Sequence, residues 1–153
     1  MNAVLLAVHV LAAIVAVGPV CVAASMVPAE ARRAAKTDGV AGAAGRLPVL
    51  ARICRTYAVV GIAVPVFGLG TASSMGVLTE AWVLVSILLT LAAAGVLALA
   101  VLPGQRALLA AVASGEAVDV TTRRLAATTG VFNLLWAVVT VLMIVRPGST
   151  TGV

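Results

Sequence analysis

Four apolar stretches, each about long enough to cross a bilayer, occupy most of this 153-residue chain. They run from about Val4 to Met26, Tyr57 to Met75, Trp82 to Leu102 and Leu125 to Val145. A helix needs about 20 mostly apolar residues to span a ~30 Å hydrocarbon core. The segments are apolar all round, the pattern of a helix surrounded by lipid or by other such helices. Composition excludes a soluble alternative, because only 10% of residues are charged, against about 25% in soluble domains. The expected fold is all-α: one transmembrane domain over residues 1–153, an integral membrane four-helix bundle.

Charge sets the expected topology. Cytoplasmic loops carry an excess of Lys and Arg. Between the first two segments lie Arg32, Arg33, Lys36, Arg46, Arg52 and Arg55, against Glu30 and Asp38. Between the third and fourth lie Arg106, Arg123 and Arg124, against Glu116 and Asp119. The connection from Gly76 to Ala81 has only Glu80, and Arg146 alone follows the fourth segment. The loops at about 28–55 and 103–124 are therefore expected in the cytoplasm, with both termini outside. The net charge of +5 then reports topology. Nucleic-acid binding is not expected, because no aromatic-basic surface accompanies the charge. The first basic residue, Arg32, follows the first apolar run. The positive leader of a cleaved signal is missing, and the first helix is expected to be retained.

Proline lacks an N–H and disfavours helix in the residue before it. Pro28 is thus expected to stop the first helix, and Pro103-Gly104 the third. Ala29 to Lys36 is a strong local helix former, broken by Gly39 to Gly45. Gln105 to Ser114 reads as a second short helix, with Leu108, Leu109 and Val112 on one side. Both are expected to be interfacial helices on the cytoplasmic face. Two weak echoes, Val27-Pro28 with Leu102-Pro103 and Arg55/Gly61 with Arg124/Gly130, would fit a parallel repeat of hairpins.

Polar groups inside a membrane are costly and tend to face protein or water. His9 is the single histidine and the one ionisable side chain well inside a span. It shares a helix face with Ala12, Ala13 and Ala16, a small-residue stripe that admits a neighbour closely. Counting about five residues inward from each outer end reaches His9, Thr71, Ser86 and Thr140. A polar layer in the outer half of the bundle is expected. The last helix extends it inward through Thr129, Asn133 and Trp136 at three-and-four spacing.

This layer has two readings. Structurally, the imidazole and Asn133 hydrogen-bond neighbouring helices and hold their register. Functionally, His9 binds a metal or cofactor, since imidazole suits copper and haem iron. Met75 and Met143 are the soft candidates nearest that level, and a dimer could bring two His9 together. Proton relay is a further alternative. In the second segment, Pro65 frees a carbonyl and can kink the helix, while Gly68 and Gly70 allow close approach. Packing is the default there, and a hinge or a flat cofactor-contacting surface the alternative. Cys21 and Cys54 read as small apolar side chains.

Catalytic templates fail. No serine has a base to spare for a triad, no carboxylate pair lies in the membrane, and no phosphate loop is present. The expected role is a non-enzymatic structural or accessory membrane protein. The alternatives are a haem- or copper-binding protein using His9, or a small-solute transporter component. The partners expected are the lipid bilayer and either a second copy or a larger membrane complex.

The stretch Leu6-Ala7-Val8-His9-Val10-Leu11-Ala12-Ala13-Ile14-Val15-Ala16-Val17-Gly18 resembles the opening of small bacterial membrane proteins with a histidine-bearing first helix. Gly130-Val131-Phe132-Asn133-Leu134-Leu135, with Leu142-Met143-Ile144-Val145-Arg146-Pro147-Gly148, resembles the final helix of an uncharacterised family of integral membrane proteins, a domain of unknown function. That family is similar to the CopD-type copper-resistance domain and, more distantly, to four-helix haem-linked protoporphyrinogen oxidase. The resemblance implies a multi-pass protein of the bacterial plasma membrane and carries over His9 alone. The further histidines or charged residues of those relatives have no counterpart inside these spans.

Overall fold

The computed structural model describes residues 2–36 and 41–148. Six α-helices and one π-helical turn form four long rods: α1 (Asn2–Lys36), α2 (Ala41–Val60) with α3 (Ala63–Ser74), α4 (Ala81–Val96) continued through a π turn (Leu97–Val101) into α5 (Leu102–Ser114), and α6 (Asp119–Val145). No strand occurs among the described residues. Each rod is long and apolar enough to cross a membrane, and only 11–22% of its most apolar window is buried inside the protein. So much uncovered apolar surface requires lipid around it, as in a multi-pass membrane protein. Neighbouring rods follow chain order around the bundle. α1 packs on α2, α3 and α6, and α4 packs on α6.

The rods are longer than the bilayer is thick. At ~1.5 Å per residue, the 34-residue rods Ala3–Lys36 and Ala81–Ser114 reach about 51 Å, against a ~30 Å hydrocarbon core. The excess lies at the basic end, where the helices run on past the positions at which the sequence predicts them to stop.

Pro28 does not end the first helix; α1 continues to Lys36 with Pro19 and Pro28 inside it. The proline forfeits one hydrogen bond, but packing holds both sides of it. Ala24, Val27, Ala31 and Ala34, at three-and-four spacing, are all buried. Residues predicted as a separate interfacial helix are therefore the end of a spanning one. The same holds for Pro103-Gly104. Upstream of Pro103 the helix widens into the π turn, where the Leu102 N–H donates to the Leu97 carbonyl. The wider turn accommodates the ring and rejoins a regular helix. That helix ends at Gly115, which takes a left-handed conformation (φ 70°) while the Glu116 N–H donates to the Ala111 carbonyl at 2.9 Å. Most of the predicted 28–55 loop is helix as well, since α2 begins at Ala41. The predicted glycine break from Gly39 lies partly outside the described residues.

The second rod is interrupted, as Pro65 requires. Without a Pro65 N–H, the Gly61 carbonyl accepts from Val64 instead, at 3.1 Å, and Ile62 donates to Val59 at 3.1 Å. These tighter bonds separate α2 from α3.

Burial is uneven. A large apolar cluster joins Val27, Ala31 and Ala34 of α1 to Leu47 and Cys54 of α2, Leu108 of α5, and Val118 and Leu125 beside and within α6. A smaller one, Val20, Ala93 and Phe132, lies next to it toward the membrane centre. Beyond that, toward the end opposite the basic one, buried positions are scattered, and several are polar: His9, Thr71 and Ser86.

Candidate functional site: the intramembrane polar residues

His9 is 7% exposed. Its Nδ1 lies 3.0 Å from the Val64 carbonyl oxygen. A carbonyl can only accept, so Nδ1 carries the proton and donates, and in the neutral ring Nε2 keeps its lone pair. The ring edge rests on Gly68, where an added Cβ would meet Cε1 at 2.9 Å. Only glycine leaves room for an imidazole this close to the backbone. Val64 and Gly68 are one turn apart, so His9 docks across a single turn of α3 just beyond the Pro65 interruption. Gly70 plays no comparable part, since nothing lies within 4 Å of its missing Cβ.

The expected polar layer divides. Thr71 and Ser86 are buried, but their hydroxyls donate to carbonyls one turn back on their own helices, Phe67 at 2.8 Å and Trp82 at 2.7 Å. Thr140 is exposed and does the same, to Trp136 at 2.8 Å. It belongs to the lipid-facing side of α6, because the buried stripe there is Thr122, Leu125, Thr129, Phe132 and Val139. Back-bonding satisfies a hydroxyl without a neighbour, so these residues do not tie helices together. Asn133 does: its Nδ2 donates to Ser25 Oγ at 3.1 Å, and Ser25 donates to the Cys21 carbonyl at 2.7 Å. Ser25 lies 16 positions from His9, about 24 Å along α1. The intramembrane polar groups thus form two separate sets.

Asn133 Oδ1, Trp136 Nε1, Thr129 Oγ1 and Trp82 Nε1 are buried without a hydrogen-bond partner. The first three follow one another along α6. Trp136 also packs edge-on against Phe132, ring centroids 6.4 Å apart.

Sequence reasoning missed three contacts. Glu30, taken for a loop acid, is 3% exposed. Its Oε1 accepts from Arg33 at 2.7 Å, and its Oε2 lies 3.9 Å from Arg46 of α2. The second distance allows ion pairing but is too long for a hydrogen bond. Continuing the helical spacing of Val20, Ala23, Val27, Ala31 and Ala34 through Pro28 puts Glu30 beside the buried stripe, so a signal existed. Gln105, also buried, donates Nε2 to Cys54 Sγ at 3.2 Å. At the end opposite the basic one the Arg146 guanidinium stands 5.7 Å from the Trp82 ring centroid, joining the end of α6 to the start of α4 by a cation–π contact. Neither pair has a spacing signature.

Among the described residues, no three His, Cys, Asp or Glu side chains converge to hold a metal ion. His9 supplies one nitrogen donor. Met75, the C-cap of α3, lies seven positions beyond Gly68, about 10 Å further along the helix. No family model, curated protein or solved structure matches the chain.

Proposed function

We propose that this chain is a non-enzymatic structural or accessory protein of a bacterial plasma membrane, with both termini outside and the extended helical end in the cytoplasm. The observation that carries the reading is how the intramembrane polar side chains are used. His9 is committed to one carbonyl and one glycine of α3, and the buried hydroxyls of Thr71 and Ser86 to their own helices. His9 spent in this way joins α1 to α3, and none of these groups converges with another on a reacting atom. The charge asymmetry supports the orientation. A C-terminal reporter active only outside the cytoplasm tests it, and activity in the cytoplasm would reverse the topology.

One observation favours a second reading, a haem- or copper-binding protein related to the CopD-type domain. Metal-ligating histidines almost always donate their other ring N–H to a carbonyl or carboxylate, and His9 donates Nδ1–H to Val64. A bound group would take Nε2 and need its remaining ligands from elsewhere, such as a second copy. An absorption spectrum with metal analysis of detergent-purified protein, wild type beside His9→Ala, separates the readings. The structural role predicts a colourless, metal-free protein whose variant melts lower. Stoichiometric haem or copper lost in the variant would establish the second.

A further inference from the structure

We propose that the outward face of α2 holds an anionic phospholipid at the membrane boundary, through Arg52, Arg55 and Thr56. This surface is independent of His9. Positions 52, 55, 56, 59 and 60 follow the three-and-four spacing of one helix face. Arg52, Arg55 and Thr56 are exposed, and the opposite side of the helix is sealed by Cys54 and Leu47. One turn on, Val59 and Val60 are 66% and 43% exposed, as lipid-facing side chains must be. Together these five residues line a shallow groove of about 680 Å³. Its polarity runs from two guanidinium groups, past a hydroxyl, to apolar surface. A phospholipid seated with its phosphate at the charged end and its acyl chains at the valines has the same sequence of polarity.

Two further features suit this face to an anion. Neither arginine has an ion-pair partner among the described residues. Another groove at the basic end, lined by Arg32, Lys36, Glu116 and Asp119, carries as many acids as cations and so attracts anions more weakly. In addition, the Thr56 hydroxyl is exposed and makes no hydrogen bond within the protein, which leaves it free to donate to a ligand. Arginine binds phosphate through two parallel N–H donors. Spacing of three on a helix lets Arg52 and Arg55 converge on one phosphate, and Thr56 adds a third donor. Each juxtamembrane cation adds to the attraction for anionic lipid.

The test is native mass spectrometry of the full chain released from phosphatidylcholine discs containing a minority of phosphatidylglycerol. Wild type is expected to retain a phosphatidylglycerol molecule. The Arg52→Gln/Arg55→Gln variant should lose it, with retention falling roughly tenfold or more. Arg123→Gln/Arg124→Gln, which removes the same charge elsewhere at the basic end, should retain it, and Thr56→Val should show an intermediate loss. Equal retention by the Arg52/Arg55 variant would overturn the proposal. So would equal loss in the Arg123/Arg124 variant, which would reduce the effect to net charge. Displacement of the lipid by inorganic phosphate at matched concentration would also overturn it, since the valine half of the groove would then contribute nothing. Unchanged helical circular dichroism in each variant confirms that the comparison is made on folded protein.

Discussion

The two ends of the bundle are held together by different means. At the basic end, α1, α2 and α5 run beyond the bilayer thickness and enclose a continuous apolar cluster. At the opposite end, where the chain termini lie, α1 meets α3 and α6 meets α4 through scattered small side chains, His9 against Gly68, and Arg146 against Trp82. Solvent explains the difference. Helices surrounded by lipid gain nothing from hiding apolar surface and must associate through close packing and hydrogen bonds. Where the rods emerge into water, the hydrophobic effect returns, and leucines such as Leu47 and Leu108 become buried.

The largest expected effect therefore lies in the basic half. Leu108→Ala and Leu47→Ala should each lower stability by about 2–5 kcal/mol, read from chemical unfolding in mixed micelles. Val139→Ala, equally buried in the half away from the basic end, should cost only ~1–2 kcal/mol. Comparable losses at all three sites would erase the contrast. Next comes Gly68→Ala, which forces the His9 ring off its carbonyl and should cost about 1–3 kcal/mol. Glu30→Gln sharpens the comparison from the other side. It removes an ion pair from the end of the bundle that leaves the bilayer and should cost ~1–2 kcal/mol. Because the Arg33 and Arg46 side chains are 69% and 68% exposed, that loss should shrink as salt is raised. Smallest is Thr140→Val, whose hydroxyl serves only its own helix; melting should stay within about 0.5 kcal/mol of wild type.

The four spans were legible because lipid demands long, uniformly apolar helices, and no other use of Val4–Met26 or Trp82–Leu102 satisfies that pattern. Their basic ends were not, because proline rules derived from exposed helices misplace the stops at Pro28 and Pro103. A buried alanine ladder overrides the first, and a π turn absorbs the second. Counting depth from the helix ends placed His9, Thr71 and Ser86 at buried positions but put Thr140 on the wrong face, since a count fixes height and not rotation. The pairing of His9 with Gly68 was half visible: both residues stood out, yet only the folded chain sets one against the other. Contacts such as Arg146 with Trp82 join helix ends distant in sequence and leave no local pattern.

The clamp between α1 and α3 depends on His9 resting on Gly68, and a double-mutant cycle between His9→Ala and Gly68→Ala tests this most directly. Removing the imidazole leaves room for the new methyl group. Gly68→Ala should therefore destabilise wild type but cost little in the His9→Ala background, giving a coupling of about 1–2 kcal/mol. Additive losses, with Gly68→Ala equally damaging in both backgrounds, would mean that the ring does not rest on that glycine, and the clamp between α1 and α3 would be wrong.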